Sequence, residues 1–268
     1  MKILALETSG ACCSAALLIA DRLEQRHEHA PRRHADLILG MLDDLLREAG
    51  LRLSDLDALA YGRGPGSFTG VRIAAAVAQG VAFGAHRPVI AVSTLAATAR
   101  AAYRQTGRRR IACALDARMG EVYWGCFEVA GPSALMPIDQ EGVFAPASTP
   151  VLTGTGWCGA GHGWAAYPAL HERHRSALEP TAEPVTESPP LGSTPEPGWA
   201  PGSLSGSLSG SLPGSIPGPA SEGLLTEIGP EAGDIAWLAH AMSEQAQRPD
   251  RALPVYLRNR VAAVSRNP

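Results

Sequence analysis

"YGRGPGSFTGVRIAAAVAQGVAFG", residues 61–84, is the stretch that decides the fold. It opens as a glycine loop and continues as an alanine-rich helix that carries almost no charge beyond Arg72. The loop lacks the Gly-Lys-Ser/Thr ending of a P-loop, so no lysine reaches a phosphate from within it. Because Gly62, Gly64 and Gly66 permit positive φ angles and Ser67 or Thr69 can cap the helix, we expect a structural turn. The amides at the helix N-terminus keep an anion site open as the alternative.

The helix in this stretch is apolar around its whole circumference, so it must be covered on more than one side. Upstream, residues 2–30 are typical of two or three strands, and residues 32–50 predict an amphipathic helix. Downstream, residues 89–92 predict a strand that precedes another helix. This alternation of strands and helices indicates an α/β domain.

A second unit is predicted to begin near Arg108. It contains two strands joined at "DARMGE", residues 116–121, a strand around Val151 and Leu152, and a late helix within residues 229–242. Between them lies a stretch repetitive in Gly, Ser and Pro, which cannot bury enough surface to offset its ordering entropy and predicts a disordered insertion. The predicted organisation is an N-terminal subdomain, a C-terminal subdomain, the insertion, and a helix and tail that complete the core: 1–107, 108–180, 181–222 and 223–268.

Composition narrows the class of protein. The 268 residues carry a formal net charge of -3, so strong autonomous binding to nucleic acid is not expected. The start lacks the pattern of a signal peptide, and we expect no membrane span and a cytoplasmic location. Five cysteines form no Cys-x-x-Cys pair, which favours reduced, buried thiols over a zinc site.

Six stretches of the chain, in this order, resemble the bacterial TsaB family: "MKILALETSGACCSAAL", "HADLILGMLDDLL", "GRGPGSFTGVRIAAAVAQGVAFG", "ALDARMGEVYWGCFE", "GTGW" and "PVYLR". The resemblance implies an α/β fold with a duplicated actin/Hsp70-like core (ASKHA, RNase H-like) in two subdomains. It further implies a non-catalytic partner of TsaD in making threonylcarbamoyladenosine in tRNA beside the anticodon, with TsaE completing the machinery. ATP and metal are then expected on partner subunits, tRNA is contacted only through the complex, and a homodimer forms when TsaD is absent.

The resemblance also points to candidate nucleotide contacts. ASKHA ATPases usually present an aspartate at the first strand turn, whereas this chain has Glu7, whose side chain is one methylene longer. A catalytic carboxylate misplaced by about 1 Å can lower the rate on the order of a hundredfold. A structural turn is therefore expected, with residual nucleotide or anion contact as the alternative. No metal ligand set is expected, because His34 has no second histidine one turn on. The candidate contacts are Glu7, Thr8, Ser9, Arg63, Gly64, Gly66, Ser67, Asp116 and Arg118.

The two early helices are the candidate partner surface. Burying each Leu, Ile or Met side chain contributes about 1.5 to 3 kcal/mol to stability. The many apolar residues of these helices therefore need extensive cover. In TsaB relatives these helices pair with those of TsaD or of a second TsaB. From the sequence alone, a fully internal core is an equal alternative. The candidate interface residues are His34, Leu37, Ile38, Met41, Leu42, Leu45, Val71, Ala75 and Ala78.

Two other functions remain open from the sequence. One is an active ASKHA enzyme, either a phosphotransferase or a peptidase-like protein, although Glu7 and the missing metal histidines speak against it. The other is a homodimeric binding module with an unrelated role.

Overall fold

The structure is a computed structural model that describes residues 1–131, 134–179 and 223–258. Its first half holds five strands and three helices. The strands are β1 (Lys2–Glu7), β2 (Cys12–Ile19), β3 (Arg22–His29), β4 (Ala58–Gly62) and β5 (Val89–Val92). The helices are α1 (His34–Glu48), α2 (Phe68–Ala85) and α3 (Thr94–Thr106).

The second half holds the remaining strands and helices. The strands are β6 (Arg110–Asp116), β7 (Val122–Gly131), β8 (Ala134–Pro137), β9 (Gly142–Phe144), β10 (Cys158–Ala160) and β11 (Leu224–Leu225). The helices are α4 (Gly163–Ala166), α5 (Pro168–Leu178) and α6 (Ala232–Ala241).

The two sheets repeat one topology. The first has the order β3-β2-β1-β4-β5, with β1 antiparallel to β2 and parallel to β4. The second has the order β8-β7-β6-β10-β11, with β6 antiparallel to β7 and parallel to β10. Because strand order and strand direction agree, β1 corresponds to β6 and β4 corresponds to β10. The predicted α/β fold with a duplicated core is confirmed.

The two halves exchange helices. Helix α3 follows the first sheet but packs on β6 and β7 of the second. Helix α6 follows the second sheet but packs on β1 and β2 of the first. The two helices also contact each other, and a buried ion pair joins Arg100 of α3 to Asp234 of α6. Each half therefore owes part of its core to the other half.

Helices α1 and α2 cover the other face of the first sheet, and here the predicted interface needs correction. Most of the predicted residues face inward and lie in the core, so they contact the chain's own sheet. These are Ile38, Leu42, Leu45, Val71, Ala75 and Ala78. His34 is also buried, whereas Leu37 and Met41 are half-buried at the edge of this core.

Three further sequence predictions have different outcomes. The strand predicted around Val151 and Leu152 is wrong, because the strand lies at Cys158–Ala160. The predicted insertion, 181–222, lies outside the described residues. The expectation of no membrane span meets one candidate among the described residues: by length and composition α2 could cross a membrane, but a core helix meets the same criteria, and α2 packs against β4.

Candidate functional site

The first turn, residues 7–9, lies where β1 ends. Glu7, Thr8 and Ser9 are all buried, and Glu7 has no solvent exposure. The amide of Ser9 donates a hydrogen bond to Oε1 of Glu7, while Oε2 has no hydrogen-bond partner among the described residues. Burial raises the pKa of Glu7 to about 7, because a charged carboxylate is poorly stabilised away from water.

The glycine loop packs directly onto this turn. A Cβ atom added at Gly62 would lie 1.7 Å from Oε2 of Glu7, and one at Gly66 would lie 2.7 Å from Cβ of Ser9. One at Gly70 would lie 2.1 Å from the carbonyl oxygen of Thr8, which leaves no space for any side chain. The space beside the first turn is therefore filled by the chain's own backbone.

These contacts correct the reason expected for the glycines. Of the three loop glycines, only Gly64 has a positive φ, at +101°. Gly62 and Gly66 are required instead because the backbone passes so close to the first turn. The predicted cap is confirmed: Ser67 is the N-cap of α2 and accepts from the amide of Gly70 at 3.4 Å.

The second turn, residues 116–120, occupies the corresponding position where β6 ends. Oδ1 of Asp116 accepts hydrogen bonds from the hydroxyl of Tyr167 at 2.8 Å and from the amide of Arg118 at 2.7 Å. The Arg118 guanidinium lies 3.2 Å from Asp116 but is 87% exposed. This carboxylate is partnered and reaches the surface, unlike Glu7.

A second glycine stretch, "GHG" at residues 161–163, follows β10 as the first loop follows β4. A Cβ added at Gly163 would lie 2.8 Å from the backbone of Ala114 in β6. His162 between the two glycines accepts from the amide of Asp116 through Nε2 at 3.3 Å. In both halves, a glycine stretch lets the backbone reach the central strand.

A cleft of about 1390 Å³ opens between β7, β8 and α6. Its polar corner is formed by Arg63, Ser93 and Glu141. Arg63 lies 3.8 Å from Glu141, the Ser93 hydroxyl donates to the same carboxylate, and burial raises the pKa of Glu141. Arg63 is thus directed to Glu141, away from the first turn.

The C-terminal strap, residues 253–258, crosses the outside of the glycine loop. The hydroxyl of Tyr61 donates to the carbonyl of Leu253 at 3.1 Å, and the amide of Val255 donates to the carbonyl of Arg63 at 2.8 Å. At its far end Arg258 forms an ion pair with Glu121 beside the second turn. The strap therefore links the two halves.

The predicted contacts fall into four separate places. Glu7, Thr8 and Ser9 meet Gly66 and Ser67 around the first turn. The structure places Gly64 under the strap, Arg63 in the cleft, and Asp116 with Arg118 at the second turn. Within residues 1–131, 134–179 and 223–258, no group of three His, Cys, Asp or Glu side chains is placed to hold a metal ion.

Sequence reasoning missed several residues of these sites. Glu141 and the strap residue Tyr256 gave no signal, because their partners are far away in sequence. Tyr167 gave none either. The "GHG" stretch was visible as a glycine-rich turn, but only the duplicated topology assigns it the position of the first glycine loop.

Two sheets of one topology, exchanged helices and paired turns at the ends of the central strands define an actin-like α/β protein of the ASKHA class. Comparison with known proteins then gives the family. TsaB of Escherichia coli K12 is 42% identical over 193 residues, which span 68% of this chain and 83% of that protein. The chain belongs to the TsaB family.

Other comparisons agree with this assignment. TsaB of Haemophilus influenzae is 50% identical over 124 residues, 46% of this chain and 52% of that protein. A family model described as "TsaD: tRNA N6-adenosine threonylcarbamoyltransferase" matches residues 20–141. A solved Pseudomonas aeruginosa structure, described as an uncharacterized protein with similarity to peptidase YEAZ, has a TM-score of 0.74 and 38% identity and covers 96% of this chain and 99% of its own. The resemblance drawn from the six sequence stretches is confirmed.

Proposed function

We propose that this chain is a non-catalytic scaffold subunit for threonylcarbamoyl modification of tRNA adenosine next to the anticodon. It binds and stabilises a catalytic TsaD partner in the cytoplasm, and TsaE joins the full assembly. ATP and metal are bound by the partner subunits, and a homodimer forms when TsaD is absent. The names of the E. coli and H. influenzae relatives, tRNA threonylcarbamoyladenosine biosynthesis protein TsaB, support the pathway.

The filled first turn supports a non-catalytic role. A phosphoryl-transfer site needs space for a phosphate and its metal beside the carboxylate that positions them. Here Gly62 occupies the space beside Glu7, and Gly66 and Gly70 occupy the space beside Ser9 and Thr8. The raised pKa of Glu7, about 7, also makes it a poor permanent anion for a metal near neutral pH.

The observation that carries the proposal is the outer surface of α1 and α2. We define this helix face by the exposed or half-buried residues Leu37, Gly40, Met41, Ile73, Ala76, Val77 and Gly80. It carries no charge, and Cβ atoms added at Gly40 and Gly80 would meet nothing within 4 Å. Small residues let another helix approach closely, so this face suits helix-against-helix pairing with a second subunit.

The helix face replaces the interface residues expected from the sequence. On α2 the outward positions are Ile73, Ala76 and Gly80, one or two residues away from the predicted Val71, Ala75 and Ala78. On α1 the expected Leu37 and Met41 remain at the surface, beside Gly40.

The test is a Gly80→Leu substitution. A Cβ atom added there meets nothing within 4 Å, and leucine raises helix propensity by roughly 1 kcal/mol over glycine, so the fold should be retained. The affinity for the organism's own TsaD should fall at least about tenfold, equivalent to about 1.4 kcal/mol. Size-exclusion chromatography with light scattering detects the complex, and a titration measures its affinity.

The matched control is Gly229→Leu, because an added Cβ at Gly229 also meets nothing within 4 Å and this residue lies outside α1 and α2. It should leave TsaD binding unchanged. If the Gly80→Leu variant binds TsaD as tightly as the wild type does, the helix face is not the TsaD interface. If the isolated wild-type chain turns over ATP and forms no complex with TsaD, the scaffold proposal fails and the active ASKHA enzyme becomes the better interpretation.

A further inference from the structure

The surface where the C-terminal strap meets the start of α2 holds an arginine against two exposed aromatic rings whose centres lie 5.9 Å apart. The guanidinium carbon of Arg72 lies 3.6 Å from the ring centre of Phe68 and 5.7 Å from that of Tyr256. Nε of Arg72 donates to the hydroxyl of Tyr256 at 2.8 Å. Phe68 is 50% exposed and Tyr256 is 46% exposed, so both rings keep accessible area.

Arg72 has no carboxylate partner among the described residues. By contrast, the neighbouring Arg63, Arg118 and Arg258 are paired with Glu141, Asp116 and Glu121. Its Nε donates to the hydroxyl of Tyr256, while its two outer nitrogens make no hydrogen bond among the described residues and the residue as a whole is exposed. Such a guanidinium keeps the donors that bind an anion in two-point geometry.

The start of α2 adds to the positive potential. The first turn of this 18-residue helix contains no acidic residue. Ser67 caps the amide of Gly70, and the amides of the first helical residues have no intrahelical partner. The positive end of the helix dipole therefore lies beside Phe68 and Arg72.

We propose that Phe68, Arg72 and Tyr256 form a platform for an unstacked nucleotide of the single-stranded part of a tRNA substrate. A base stacks on the exposed aromatic rings, and its phosphate is bound by Arg72 and the α2 amides. The inference rests on the proposed function, which brings tRNA to the complex. It extends that function by giving this chain a direct contact with the RNA.

Charge favours RNA over other occupants. A protein partner would have to supply an acidic group and an apolar side chain together, whereas each nucleotide carries a phosphate and a flat ring. Because three neighbouring arginines are neutralised by carboxylates and the net charge is -3, the platform provides a local contact of modest affinity. That affinity suits a subunit that acts beside a catalytic partner.

The experiment measures binding of a fluorescein-labelled hairpin RNA with an unpaired loop, by anisotropy, to the full chain and to its complex with TsaD. The variants are Phe68→Leu, Tyr256→Leu and Arg72→Gln. Each ring removal should weaken the Kd about tenfold. Arg72→Gln should also lower the slope of log K against log salt by about one.

Matched controls separate the platform from general surface effects. Phe83→Leu removes an aromatic ring that is 72% exposed at the far end of α2. Arg32→Gln removes an exposed arginine outside the platform. Both should leave the Kd unchanged. Tyr256→Phe keeps the ring but loses the hydroxyl that binds Arg72, so it should retain most of the affinity that Tyr256→Leu loses. Thermal unfolding of every variant shows whether the strap remains folded.

Four outcomes would overturn the inference. The first two are the absence of RNA binding by the chain and by its complex, and an unchanged Kd for RNA in the platform variants. The third is that free AMP or ATP binds to the platform while RNA binding is unaffected. The fourth is that the platform variants lose TsaD binding and keep RNA binding. TsaD binding is measured separately on the same samples. A failure of the scaffold role is therefore distinguished from a failure of the platform.

Discussion

The first turn and the second turn occupy the same place in two copies of one topology, yet their environments are opposite. Glu7 ends β1 in a sealed site, with no exposure and with one oxygen lacking a hydrogen-bond partner. Asp116 ends β6 beside an 87% exposed arginine, with its Oδ1 atom fully used by Tyr167 and Arg118. A position that the fold offers for ligand binding is thus used for packing in one half and for surface hydrogen bonding in the other.

The largest expected effect comes from opening the sealed turn with Gly70→Ala. The new Cβ would lie 2.1 Å from the Thr8 carbonyl oxygen, a backbone atom that cannot move away cheaply. The free energy of unfolding should fall by more than about 3 kcal/mol. Gly163→Ala, in the second glycine stretch, would place its Cβ 2.8 Å from the backbone of Ala114 in β6 and should cost about 1–3 kcal/mol. Urea denaturation measures both, and equal costs would contradict the closer packing of the first glycine loop.

Glu7→Gln tests the buried carboxyl through pH. In the folded chain the pKa is raised from 4.5 to about 7, so the folded state holds a proton that the unfolded state loses between these values. Its contribution to stability is complete below pH 4.5 and falls by about 3 kcal/mol as pH rises through 7. The glutamine variant lacks this fall.

Urea denaturation at pH 5 and at pH 8 measures the difference between wild type and Glu7→Gln. The variant should gain stability relative to wild type at the higher pH. If the difference between the two proteins is the same at both pH values, Glu7 is ionised in the folded chain and the sealed-site interpretation fails.

The smallest expected effect is that of Asp116→Asn, the matching amide substitution in the second turn. Asparagine keeps an oxygen for the Tyr167 hydroxyl and the Arg118 amide, and the lost ion pair involves an arginine that is 87% exposed. The free energy of unfolding should change by less than about 1 kcal/mol. A larger loss would show that the second turn is also a packing site.

Sequence reasoning succeeded where the signal was local. The strands β1, β2, β6 and β7 and the helix α1 have clear apolar patterns, and the helix cap at Ser67 has the expected chemistry. It failed at β10 and β11, which are only three and two residues long. Such short strands are defined by pairing with distant segments, which no local pattern records.

The errors at the candidate site have a common physical cause. Helix α2 is apolar on every side, so its sequence periodicity does not distinguish the buried Ala75 from the exposed Ala76. In the same way, a glycine needed for close approach, such as Gly62, looks identical in sequence to one needed for positive φ, such as Gly64. Both distinctions depend on tertiary contacts, which only the assembled fold supplies.

The exchange of α3 and α6 has a consequence for synthesis on the ribosome. When residues 1–107 have emerged, α3 has no second sheet to pack on, and the face of the first sheet that carries Ile3 and Leu18 lacks the apolar side of α6. Residues 232–241, which supply Ile235, Ala236, Leu238 and Ala239 to that face, are made long after residues 1–107. The N-terminal half therefore keeps this apolar surface uncovered until residues 232–241 have been translated.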